Sequence, residues 1–359
     1  MARGPVGGQR IVSRGTRGAV AQRSQQSAPA EPGLELVARR SLIERTVEAW
    51  MPLSPGDRPI VASGESVFAG ETIADRLRAP RLIETNDAPA LRPGERWTRV
   101  RVSASGEPEP QSEGELLFES DGRWRIATGD QQEPLESPVA GIVREIRPGV
   151  GIRLTAEGVG LTGAFALGGT ARGRLNIAAG PDGELLPRSF DVGSAGAILV
   201  VGARIDAESL TRARAMGVRG IVVSTLASKE RRDFLASEAR QRAALHRLPP
   251  LAVLVLHGIV RRPIAQPVNE VLQLLAGRDV AIVGDPPRLV FDPSGIDLPE
   301  DPADRVHVRA GSLSGRFGQW AGLAGLRRFT GGIHLEAGFV RFDDEPAVAL
   351  PLADLERYT

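Results

Sequence analysis

The stretch from Ala197 to Thr225 constrains this chain more than any other. AILVVG (Ala197 to Gly202) is apolar without alternation, DAESLTRARAMG (Asp206 to Gly217) opens on an Asp N-cap and ends on a Gly stop, and RGIVVST (Arg219 to Thr225) is again a nearly unbroken apolar run. Strands covered on both faces read this way, and a helix of this length between two of them is the parallel crossover. The pattern recurs: Ser228 to His246 reads as a helix, LAVLVLHG (Leu251 to Gly258) as a strand, Pro267 to Ala276 as a helix and DVAIVG (Asp279 to Gly284) as a strand. Four short parallel strands with helices between them are expected, forming a small Rossmann-like α/β domain over residues 191–294.

The flanking sequence has a different texture. Aromatic residues make up only 4% of the chain, against 42 glycines and 27 prolines, which points to many short strands and turns. Residues 1–33 are basic and aperiodic, with five arginines and no acid between Ala2 and Ala30, and read as a disordered tail. Leu34 to Ala49 places Leu36, Leu42, Ile43 and Val47 at helical spacing and predicts a short helix. From Met51 a β-rich region is expected to about 190, with an exposed polar loop at Gly106 to Glu113. A closing hairpin is expected from ARGRLNIAAG, the turn Pro181-Asp182-Gly183 and ELLPRSFDV. Residues 295–304 are acidic and Pro-rich and read as a linker. Residues 305–359 then offer about five short strands, the size of an SH3-like barrel.

Several chemistries are excluded outright. The chain has no cysteine, which removes disulfides, thiolate nucleophiles and iron–sulfur ligation and is compatible with a cytoplasmic setting. Net charge is +1, so no whole-chain field draws in nucleic acid. The longest apolar run, Leu248 to Leu256, is too short to span a membrane. The four histidines, His246, His257, His307 and His334, lack metal-ligand spacing, and neither a nucleotide-phosphate fingerprint nor a serine-hydrolase elbow occurs. GGTARG (Gly168 to Gly173) is the nearest glycine-rich loop and reads as a β-turn. Neither a cofactor nor a metal is expected.

PIVASGESVFAGETIAD (Pro59 to Asp75) and ESPVAGIVREI (Glu136 to Ile146) together resemble the two halves of a barrel-sandwich hybrid domain. Biotinyl and lipoyl carriers of that class carry the cofactor on a hairpin lysine, with the second half first. The order here is similar to that in the Rnf-complex C subunit and the large RNA polymerase subunits. The only lysine, Lys229, stands in the first turn of a predicted helix elsewhere, so the resemblance implies a fold and not a carrier.

VRAGSLSGRFGQW (Val308 to Trp320) and the ending VALPLADLE (Val348 to Glu356) resemble the KOW-type SH3-like barrels of NusG-like transcription factors and some ribosomal proteins. That resemblance implies contact with protein, nucleic acid or ribonucleoprotein through Arg309, Ser312, Ser314, Arg316 and Gln319, with Arg327 and Arg328 extending a basic patch.

In the α/β domain, ligands are expected outside the carboxyl ends of the parallel strands. The polar residues that land there are Arg204, Asp206, Ser224, Thr225, His257, Arg261, Arg262 and Asp285. The reading that gathers most of these features is a non-catalytic, multidomain binding or scaffold protein with a protein partner. An enzyme or small-molecule sensor using the strand ends is the alternative, and a structural subunit of a larger assembly is a third.

Overall fold

A computed structural model describes residues 33–53, 57–78, 81–85, 98–101, 111–120, 123–128, 131–185, 192–243, 251–298, 304–343 and 345–358. The chain is β-rich, with three α-helices and several separate sheets among these residues. The expected basic tail and most of the acidic linker lie outside them.

A nine-stranded sheet forms the centre. Its strands are β1 (Ile43–Glu44), β2 (Val159–Thr162), β3 (Phe165–Leu167), β4 (Ala171–Ile177), β5 (Ile198–Val200), β6 (Gly220–Thr225), β7 (Ala252–Gly258), β8 (Asp279–Val283) and β9 (Arg288–Phe291), in the spatial order β3-β7-β6-β5-β4-β8-β9-β2-β1. Helices α1 (Ala207–Ala215) and α2 (Ser228–Ala243) connect β5 to β6 and β6 to β7, and α3 (Gln266–Leu274) follows β7. Successive side chains of a strand point to opposite faces. Accordingly, Leu199 and Val201 pack with Leu210, Ala213 and Phe234 on one face, while Ile198 and Val200 pack with Val268, Val271 and Leu272 of α3 on the other.

Four parallel strands are present, but not the expected four. β4 runs parallel to β5, whereas β8 runs antiparallel to β4. ARGRLNI therefore belongs to the central sheet; of the hairpin expected with ELLPRSFDV, residues 186–191 lie outside the described residues, and Glu184 makes an isolated pairing with Arg204. The sheet runs across the boundary expected at 190.

The helix expected over Leu34 to Ala49 does not form. A 3-10 turn (Leu34–Leu36) leads into the strands Ala38–Arg40, Ile43–Glu44 and Val47–Pro52, the last with Val47, Ala49 and Met51 buried at a period of two. Of the polar loop expected at Gly106 to Glu113, Gln111–Glu113 instead begin a strand and the rest lies outside the described residues.

The amino-terminal β region packs on the central sheet through a shared core that includes Val47, Met51, Ile73, Val143, Ile152, Ala281 and Val290. Within it Ser66–Val67 pairs with Gly141–Ile142, which sets the two quoted half-motifs side by side.

At the other end of the chain, six strands form a sheet in the order Ala38–Arg40, Leu355–Tyr358, Arg305–Val308, Phe317–Arg328, His334–Arg341 and Val348–Pro351. The first strand comes from the chain's amino-terminal segment and lies parallel to Leu355–Tyr358, and Leu34 and Val37 fill the core beside Trp320 and Phe342. This core tolerates no added volume at Gly338. A Cβ there would lie 2.1 Å from the ring of Trp320, which is buried. Gly338→Ala is expected to cost about 1–3 kcal/mol by overpacking, read as a fall in the urea midpoint.

Candidate functional site

The residues expected at the strand ends occupy two kinds of position. Asp206 caps α1, its Oδ1 accepting the Ser209 N–H at 2.7 Å, and Arg204 pairs with Glu184 at 2.7 Å. Ser224 Oγ donates to the Arg262 carbonyl (2.7 Å) and Thr225 Oγ1 to the Ala203 carbonyl (2.7 Å), so both hydroxyls stitch loops together. Arg261 is exposed, whereas Asp285 lies apart beside Trp50, whose N–H donates to its carbonyl. These residues do not converge on one reacting centre.

His257 and Arg262 instead join three residues the sequence reading did not group with them. The Ala265 N–H donates to His257 Nε2 (3.0 Å), and the guanidinium of Arg40 lies 3.1 Å from Nδ1. Arg40 also donates to the carbonyls of Thr162 and Leu256. Arg262 donates to the His257 carbonyl (3.1 Å) and pairs with Glu356 (3.4 Å), which accepts from His307 Nδ1 at 2.9 Å. His307 stacks on Phe317, with centroids 4.5 Å apart. Arg40, His307 and Glu356 belong to the C-terminal sheet, so the network ties that sheet to the end of β7.

Electrostatics follow from this burial. Desolvation, with the charges of Arg262 and Arg40, holds His257 well below its ordinary 6.5. His307 is also lowered: burial outweighs the hydrogen bond to Glu356. For Glu356 burial opposes ionisation, but His307 and Arg262 prevail and its pKa is lowered. The arrangement is a buried clamp between two sheets, with Arg262 and Glu356 both almost wholly enclosed.

The exposed surface of the C-terminal sheet offers a different chemistry. Strand Phe317–Arg328 pairs with Arg305–Val308 only over its first three residues, and His334–Arg341 meets its other neighbour no further out than Ala337. The outer part, closed by a turn in which Phe329 N–H donates to the Ile333 carbonyl at 2.8 Å, is a two-stranded arm. It carries Leu326 (63% exposed), Ile333 (58%) and Leu335 in solvent, beside Arg327 and Arg328.

The residues expected as a basic patch split accordingly. Arg316 lies over the Phe342 ring and reaches Glu345 (3.4 Å), Ser314 Oγ donates to the Arg309 carbonyl, and Gln319 donates to Asp304. Ser312 is exposed in the same turn. Arg327 and Arg328 stand at the far end of the arm, roughly 25 Å from Gln319 at about 3.3 Å per residue. The apolar arm was the feature missed, and its signal was available: Leu326, Ile333 and Leu335 flank the Gly331-Gly332 turn.

Among the described residues, no helix is long and apolar enough to cross a membrane and no cluster of side chains suits a metal. Comparison of the sequence with protein-family models and with curated proteins finds no match.

Proposed function

We propose that this chain is a non-catalytic, multidomain binding protein whose C-terminal module, a KOW-like SH3-type barrel on this reading, holds a protein partner with its projecting arm. The observation that carries this is the two-stranded arm with three exposed apolar side chains, Leu326, Ile333 and Leu335, and two arginines. An isolated two-stranded ribbon is marginal in water, and clustered exposed apolar groups mark contact surfaces. A partner that encloses the arm buries Leu326 and Ile333, while Arg327 and Arg328 select an acidic rim. The KOW resemblance places the first search among transcription and translation assemblies.

The test is capture of a partner by tagged full-length protein, followed by affinity measurement with the purified partner. Leu326→Asp with Ile333→Asp is expected to weaken binding by at least about 100-fold, as loss of two interface anchors does, with the thermal midpoint little changed. Capture unaffected by the double substitution overturns the reading. Binding of RNA alone, with a steep salt dependence and no sensitivity to the two leucine-face substitutions, would replace the protein partner with nucleic acid.

A further inference from the structure

The parallel strands have a second end. A cleft of about 780 Å³ opens at their amino termini, between the central sheet and the amino-terminal β region, on the side away from the clamp at β7. One wall is the glycine-rich segment Gly168 to Arg174 with Gly196 and Arg219, and the other carries Glu133 to Pro138.

The sheet wall is a built row of guanidiniums. Arg172 and Arg174 are two residues apart on β4 and so face the same way. The register Leu175–Ile198–Gly220 puts Arg174 and Arg219 on one row, two strands and roughly 10 Å apart. Their local partners are few: Arg172 lies 3.7 Å from Asp279 and donates to the Ala69 carbonyl at 3.4 Å, and Arg174 Nε donates to the Gly277 carbonyl. Across the whole lining four arginines, with Arg76, face three carboxylates, Asp279, Glu133 and Glu136, and the three arginines of the sheet wall have only the largely solvated Asp279 on their own side.

The glycines add a second element. Gly169 and Gly196 stand at φ +92° and +78°, a backbone conformation that itself calls for glycine, and a Cβ built on either meets nothing within 4 Å, so this wall leaves room for a ligand beside the guanidiniums. The Gly196 N–H is already taken by the Gly217 carbonyl at 2.8 Å, so the donors offered to an oxyanion here are the guanidiniums.

We propose that this cleft binds a small phosphorylated molecule, its phosphate oxygens held by Arg172, Arg174 and Arg219 and its body lying toward Glu136. Arg suits this role because its fork of donors matches phosphate geometry. The site is independent of the arm and of the clamp, and its ligand is recognised whether or not the protein partner binds.

Titration calorimetry of the full-length protein with pyrophosphate, at low salt, tests it. Saturable 1:1 binding is expected, weakened at least tenfold by Arg174→Gln with Arg219→Gln and unchanged by Arg327→Gln on the distant arm. Thermal midpoints within a few degrees of the parent show that the variants are folded. Absence of saturable heat, binding indifferent to the paired arginine substitutions, or tighter binding of citrate than of pyrophosphate overturns the assignment.

Discussion

Glu356→Ala is expected to destabilise the protein by about 3–5 kcal/mol, the cost of stranding a buried charge. Glu356 is the one carboxylate that answers both the Arg262 guanidinium and His307 Nδ1. Arg262 remains charged at any workable pH and is almost entirely enclosed, so removing its partner leaves a cation with neither water nor counter-ion. Glu356→Gln keeps an acceptor for His307 and is expected to lose less. Removing both charges together, Arg262→Met with Glu356→Leu, is expected to recover most of the loss, because a buried pair contributes less than its breakage costs. Urea midpoints of the parent and the three variants measure these losses. A loss under about 1 kcal/mol for Glu356→Ala would mean that water reaches Arg262 and that the clamp is not closed.

Local chemistry made the α/β elements legible. Asp206 was readable as an N-cap and Gly217 as a stop because each acts within its own turn, and α1 ends at Ala215 just before Gly217. Strand neighbours were not readable. DVAIVG is equally apolar whether β8 runs parallel or antiparallel to β4, so sequence fixes its burial but not its direction. Leu34 to Ala49 misled for a related reason: Ile43 and Val47 fall four apart as on a helix, yet the chain resolves the segment as strands with Val47, Ala49 and Met51 alternating inward.

The clamp was half visible. His257 stood out as a polar residue at a strand end, but its partner Arg40 is 217 residues away and Glu356 lies 94 residues from Arg262. Nothing local announces such pairs. The amino-terminal strand that delivers Arg40 joins the C-terminal sheet by pairing with Glu356–Tyr358, which no motif in either segment requires. The arginine row of the cleft shows the same limit: GGTARG reads as a turn until the sheet register sets Arg219, distant in sequence, on one row with Arg174 two strands away.

Stability is expected to fall as pH drops from about 7.5 to about 5.5, with the two clamp histidines as the cause. Both have folded-state pKa values below the ordinary 6.5, so the unfolded chain binds more protons in this window. Their stabilisation is fully present above 6.5 and is lost as pH falls toward the folded-state values. Each histidine contributes at most about 1.4 kcal/mol per pH unit while its unfolded form is protonated and its folded form is not. Glu356 acts in a lower window: its folded pKa is below 4.5, so its contribution holds above that value and fails only in stronger acid. The groups facing His257 are Arg40, Arg262 and His307, all of which oppose a positive imidazolium. Protonation would also take Nε2 away as the acceptor of the Ala265 N–H. Urea midpoints at pH 7.5, 6.5 and 5.5 measure the slope, and His257→Gln, which can still accept from Ala265, is expected to remove the larger part of it, since His257 is lowered further than His307. A midpoint independent of pH across this range, or a slope unaltered in the glutamine variant, would show that the interface between the central and C-terminal sheets opens without having to release neutral histidines.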